Sequence, residues 1–205
     1  MAIRSARARS RSNLTRHAGS RSGRRVLISC EGSETEPGYL GALRRELKLG
    51  AMVVITGGGK PSGVVNEAAR RCRRARNEGR PFDAVWCVFD RDQHDDFEHA
   101  LAEAQRQRMQ AIPSVPCFEL WLLLHFKYTA RPFASYQEIR PVLRTHVPDY
   151  DKTADWNALL ARRAAARDHA VRLLTESVDS TPHPCPSTHV HELVSFLESL
   201  RPGPG

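Results

Sequence analysis

The chain has 205 residues, 40% of them hydrophobic, and a formal net charge of +8. That length allows one α/β core with a smaller appendage, and no run approaches the ~18 apolar residues of a membrane-spanning helix. The basic start has no apolar segment behind it and does not read as a secretory signal, and five cysteines without a C-x-x-C pair suit a reducing cytoplasm rather than a disulfide framework.

Charge is unevenly placed. Residues 1–25 hold eight arginines and no acid, and the rest of the chain is formally neutral. Residues 1–24 therefore read as a basic disordered tail, too polar to fold alone. The tail suits contact with a phosphate backbone, with Arg24 and Arg25 as its last cations, or else serves as a solubilising arm. The remainder divides into an α/β core at 25–127, a helical C-terminal subdomain at 128–200 packed on that core, and a frayed end at 201–205.

In chain order, 26–30 is a short apolar strand of the kind found buried in parallel sheets. Residues 35–48 have helical spacing, with Tyr39, Leu40, Leu43 and Leu47 on one stripe. A second strand spans 52–55. Gly57, Gly58 and Gly59 break it, and Ser62 is placed to N-cap a helix running to about residue 78. That helix has an arginine face (Arg70, Arg71, Arg73, Arg74 and Arg76), of which Arg70, Arg73 and Arg74 are the candidate backbone-binding residues. A third strand covers 84–89, a helix 94–108 and a weak strand 110–112. The run 118–126 reads as a buried helix, and further helices are expected at 135–145, 154–176 and 188–200. This alternation predicts a doubly wound, mostly parallel sheet.

Acids fall where such a sheet binds ligands. Glu31 follows the first strand, and Asp90 and Asp92 follow the third. Ligands of open parallel sheets bind outside the carboxyl ends of the strands. Residues two apart on an extended segment point the same way, so Asp90 and Asp92 can converge on one cation. Mg²⁺ takes hard oxygen ligands, one or two carboxylates beside a substrate phosphate, and Mn²⁺ accepts the same donors.

The residues also carry a family resemblance. VLISCEGSETEP (26–37), VWCVFDRDQHDDF (85–97), SVPCFELWLLLHF (114–126) and PSTHV (186–190) resemble, in order, the motif blocks of the RloB-like family. The resemblance implies kinship with the Toprim domains of topoisomerases, primases and OLD-type nucleases. It assigns Glu31 to general acid/base work or metal ligation, and Asp90 and Asp92 to Mg²⁺. It also implies bacterial antiphage, restriction-linked biology of the abortive-infection kind, with a separately encoded partner ATPase.

Other residues are candidates on their own chemistry. Glu119 lies in a run expected to be buried, where a carboxylate must be paired or metal-bound. It either joins the acidic cluster or holds a cation such as His125 or an arginine. Lys152 follows Tyr150-Asp151 and could stabilise charge on a phosphate. Glu36 belongs either to the site or to the start of its helix, and His125 either to the site or to the core. Asp95 and Asp96 read as helix-start acids. Gly57–Ser62 lacks the spacing of a phosphate loop, and His183, Cys185, His189 and His191 match no common zinc pattern.

The expected protein is a Mg²⁺- or Mn²⁺-dependent nuclease with Glu31, Glu119 and Lys152 as catalytic residues and Asp90, Asp92 and Glu31 as metal ligands. Nucleic acid, a separate ATPase and a second copy of the chain are its expected partners. The alternative is a non-catalytic nucleic-acid-binding or regulatory subunit with the same fold. A phosphoacceptor domain fits less well, because its acid pair would follow the first strand.

Overall fold

The computed structural model describes residues 23–91, 94–177, 181 and 183–202. Most of the basic tail, the last three residues and Asp92 lie outside the described residues.

Five strands form one sheet in the order β2-β1-β3-β4-β5. β1 (Val26–Cys30), β2 (Met52–Thr56), β3 (Ala84–Asp90) and β4 (Gln110–Val115) run parallel, and β5 (Ser187–Thr188) is antiparallel to β4. The doubly wound α/β architecture expected from the alternating pattern is the one observed. β1 is buried along its whole length because it lies between two strands and under helices on both faces. Alternate side chains enter alternate cores. Val26, Ile28 and Cys30 face the larger core, and Leu27 the smaller one.

The smaller core is built from α2 (Pro61–Asn77) and α3 (Phe97–Arg106). The larger takes α1 (Thr35–Leu47), α4 (Glu119–Leu124), α5 (Tyr136–Arg144), α6 (Trp156–Leu160), α7 (Arg163–Glu176) and α8 (Val190–Ser199). The C-terminal helices thus share one continuous hydrophobic core with β1, β3 and α1. No helix among the described residues is long and apolar enough to cross a membrane.

Several local expectations change. The second helix starts at Pro61, with Lys60 and not Ser62 at the N-cap position. Proline suits the first helical position because its fixed φ matches the helix and its missing N–H would have no partner there. The Ser62 N–H is instead taken by the Asp96 carboxylate at 3.1 Å, so this acid serves a neighbouring helix. The helix expected over 94–108 shortens to α3.

The helix expected over 154–176 breaks into α6 and α7. α6 packs on α1 while α7 packs on α4 and α8, and one straight rod cannot serve both. The weak strand at 110–112 extends to Val115 through Pro113. The Pro113 carbonyl accepts from the His189 N–H at 3.0 Å. Its missing donor therefore faces the short β5 side rather than the β3 ladder, where a proline is tolerated. Before α8, residues 187–188 form β5 instead of a first helical turn, and Ser114 Oγ lies 2.9 Å from Thr188 Oγ1.

Candidate functional site

Crossover direction reverses between β1 and β3, so a crevice opens at the carboxyl ends of these neighbouring strands. Glu31 leaves β1 there and Asp90 ends β3 there. They are joined directly: Glu31 Oε2 accepts the Asp90 N–H at 3.0 Å. Glu31 Oε1 lies 2.9 Å from His94 Nε2. Glu31 is thereby held across the crevice by both of its oxygens.

Glu36, in the first turn of α1, folds back and accepts the Gly32 N–H at 3.0 Å. A Cβ at position 32 would stand 2.5 Å from Glu36 Oε2, which is why glycine follows Glu31. Burial raises the Glu36 pKa. Its own backbone and the Gly32 N–H oppose the rise, while the charges of Glu119 and Glu31 reinforce it.

Asp90 is surrounded by like charge. Burial pushes its pKa well above the usual carboxylate range, and the charges of Glu36, Glu119 and Glu31 push the same way; Lys152 opposes them. Its Oδ1 is buried and has no hydrogen-bond partner among the described residues. An orphaned buried oxygen among like charges is unfavourable unless a cation answers it.

β4 feeds Cys117 and then Glu119 into the same place. Ligand atoms of Asp90, Cys117 and Glu119 all lie within 4.8 Å of one another, a group that could hold a metal ion. Burial, and then the Glu119 and Asp90 charges, raise the Cys117 pKa well above its usual value, which keeps the sulfur a thiol. The donors this group offers a cation are the Asp90 and Glu119 carboxylates and the Cys117 sulfur.

Glu119 is only 2% exposed. Its Oε1 accepts from Tyr150 Oη and from Lys152 Nζ, each at 2.8 Å. Thr35 Oγ1 braces both donors from α1, at 3.2 Å from the Tyr150 hydroxyl and 3.2 Å from the Lys152 carbonyl. Burial works against the Lys152 charge, but Glu119 outweighs it and the pKa of the lysine is raised. Lys152 has φ 66°, a left-handed conformation that a non-glycine residue adopts only where its surroundings hold it. Its ammonium also lies 3.8 Å from the Tyr136 ring centroid.

The structure therefore brings together Glu31, Glu36, Asp90, Glu119 and Lys152 among the residues expected from sequence. His125 is elsewhere. Its Nε2 faces Tyr39 Oη at 3.1 Å and its Nδ1 the Trp121 carbonyl at 2.8 Å, and burial lowers its pKa to about 4. It is a neutral core histidine, and the cation on Glu119 is Lys152. Two of the candidate arginines are also distant. Arg24 and Arg25 precede β1, at the end of the sheet opposite Glu31; the six residue steps from Arg25 to Glu31, at ~3.3 Å each, make about 20 Å. Arg70 and Arg74 on α2 are hydrogen-bonded to Glu67 and Glu78 of the same helix, and Arg73 is exposed. Gly58 and Gly59 have positive φ and form a turn before Pro61. His183 Nδ1 lies 3.3 Å from His189 Nε2, while the Cys185 thiol meets the Phe133 carbonyl and His191 the Thr188 carbonyl.

Sequence reading missed His94, Thr35, Cys117 and Tyr150. His94 was visible two positions after Asp92, and Cys117 two before Glu119. Thr35 and Tyr150 had no local signal, because their partners are 115 positions apart.

The RloB-like protein family model matches residues 26–197. The chain belongs to the RloB-like family. Comparisons with curated proteins and with solved structures give no match. The match to the RloB-like family runs from the first residue of β1 into α8 and takes in every residue of the crevice, while the tail before Val26 lies outside it.

Proposed function

We propose that this RloB-like protein is a divalent-metal-dependent nuclease that hydrolyses nucleic-acid phosphodiesters at the crevice between β1 and β3. The observation that carries this reading is the convergence of three carboxylates, Glu31 after β1, Glu36 of α1 and Glu119 of α4, on Asp90, whose buried Oδ1 has no hydrogen-bond partner among the described residues.

The residues fit a hard cation. Asp90 and Glu119 offer oxygens close enough to share one ion, with the Cys117 sulfur beside them. Mg²⁺ or Mn²⁺ suits that set, with water and substrate phosphate filling the remaining positions. Asp92, the other expected metal ligand, lies outside the described residues. The cation would polarise the phosphoryl group and relieve its repulsion from the acids.

The protein supplies the rest. Glu31 and His94 share a hydrogen-bonded position at Glu31 Oε1, where a proton can be taken from water or given to a leaving oxygen. Lys152, fixed by Glu119 and Thr35, offers a positive charge to the phosphate. Tyr150 holds Glu119 in place and, with burial raising its pKa, stays protonated as a donor. The Toprim kinship, the setting in bacterial antiphage defence of the abortive-infection type and the partner ATPase rest on the resemblance of the motif blocks.

The test is cleavage of DNA and RNA pools, alone and with a neighbouring ATPase, in Mg²⁺, Mn²⁺ and EDTA. Cleavage abolished by EDTA and by Asp90→Asn is expected; a variant that cleaves as well as wild type ends the proposal.

One observation favours a second reading, a regulatory subunit without turnover. Both Glu31 oxygens and Glu119 Oε1 are already engaged by protein donors, so the network is partly satisfied without an ion. Metal-independent nucleic-acid binding with no cleavage beside the partner would select it.

A further inference from the structure

The amino-terminal edge of the sheet, the end opposite the carboxylates, encloses a cavity of about 660 Å³. Arg24, Arg25, Arg44, Lys48 and Arg80 all line it, and no acid among the described residues does. These cations come from the segment before β1, the end of α1 and the turn after α2. None of the five side chains forms an ion pair among the described residues. Two acids flank it: Asp83 Oδ2 accepts the Arg25 backbone N–H at 2.7 Å, and Glu78 is held by Arg74 at 2.8 Å, a bond that, with the charges of Arg74, Arg80 and Arg25, lowers its pKa.

Part of this charge has a local cause. Parallel α/β topology puts the C-termini of α1 and α2 at this edge, where cations answer the helix dipoles. That accounts for Arg44, Lys48 and Arg80 but not for Arg24 and Arg25, which belong to no helix. Two of the five are preset. The Arg25 guanidinium donates to the Pro81 carbonyl at 3.0 Å and stacks 4.7 Å from the Phe82 centroid. Arg44 donates to the Leu49 carbonyl at 3.2 Å. Planar guanidinium groups held this way match phosphate oxygens well.

We propose that this cavity binds the sugar-phosphate backbone of a nucleic acid, about 20 Å from the carboxylate crevice. A polymer suits it better than a small anion. Five cations line this hollow, and the chain that reaches it at Gly23 follows 22 residues with six arginines and no acid, so positive charge continues along the chain beyond the cavity. The site is independent of hydrolysis, since it shares no residue with the crevice and needs no metal.

The experiment uses the full chain in EDTA, with fluorescence anisotropy of labelled 30-nucleotide single-stranded DNA and RNA over a range of NaCl. The variant is R24Q/K48N/R80Q, three exposed positions; asparagine suits the left-handed φ of 57° at Lys48. We expect affinity at least tenfold lower, and a log–log salt slope shallower by about 2, at ~0.7 per lost phosphate contact on single strands. If the triple variant melts early, R24Q and R80Q singly carry the test, each with a slope change of about 0.7. Unchanged affinity and slope, or no nucleic-acid binding by the wild type, overturns the proposal. So does a loss confined to inorganic pyrophosphate binding, which would mark a small-anion site.

Discussion

Lys152 Nζ lies 2.8 Å from Glu119 Oε1, across 33 positions of sequence. The carboxylate is almost fully buried, and the ammonium keeps 43% of its side chain exposed. The pair therefore brings one charge out of solvent and fixes the other at the mouth of the crevice.

Lys152→Met should destabilise the fold, because Glu119 is left buried without its cation. Removing one partner of a fully buried pair costs about 3–5 kcal/mol. Exposure of Lys152 reduces this to about 1–3 kcal/mol. Urea denaturation at pH 7 measures it. Adding Glu119→Gln should restore most of the loss, and the double-mutant cycle isolates the coupling; additive losses would mean that the pair contributes nothing.

Asp90→Asn should abolish cleavage and, in EDTA, stabilise the protein at neutral pH. The Asp90 pKa is raised on folding, so between its ordinary value and the raised one the folded state binds more protons than the unfolded. Stability is then lost as pH rises through that window. The difference in unfolding free energy between Asp90→Asn and wild type should grow from pH 4 upward. A constant difference contradicts the electrostatic account of the cluster.

Mn²⁺ or Mg²⁺ should raise the melting temperature of the wild type. Ligand at 100 times its dissociation constant contributes about 2.7 kcal/mol. Asp90→Asn and Glu119→Gln should each reduce the shift, and equal shifts in all three proteins would place the ion elsewhere.

Gly32→Ala should displace the Glu36 carboxylate, because the new methyl would stand 2.5 Å from its Oε2. The side chain end can swing away, so the stability change should be small, within about 1 kcal/mol. Cleavage in the presence of metal should fall well beyond what that change explains. Unaltered turnover would remove Glu36 from the site.

Sequence alone determined β1, β2 and β3 and the placement of Glu31 and Asp90 at strand ends. Apolar runs of five to seven residues specify buried parallel strands, and whatever residue follows each run must emerge at the carboxyl edge. The same locality explains why Glu119 was identifiable as a buried acid in need of a partner. Only the tertiary structure decided which partner it has. His125 lies six positions away yet turns to Tyr39, while Lys152 arrives from a distant loop held by Thr35. Tertiary packing also separated charges that looked alike in sequence. Arg24 and Arg25 are close to Glu31 along the chain, but a strand between them extends the backbone and carries them to the opposite edge. Hydrophobic periodicity is a local property of a chain; the meeting of polar side chains depends on how its elements pack, and no local pattern encodes that.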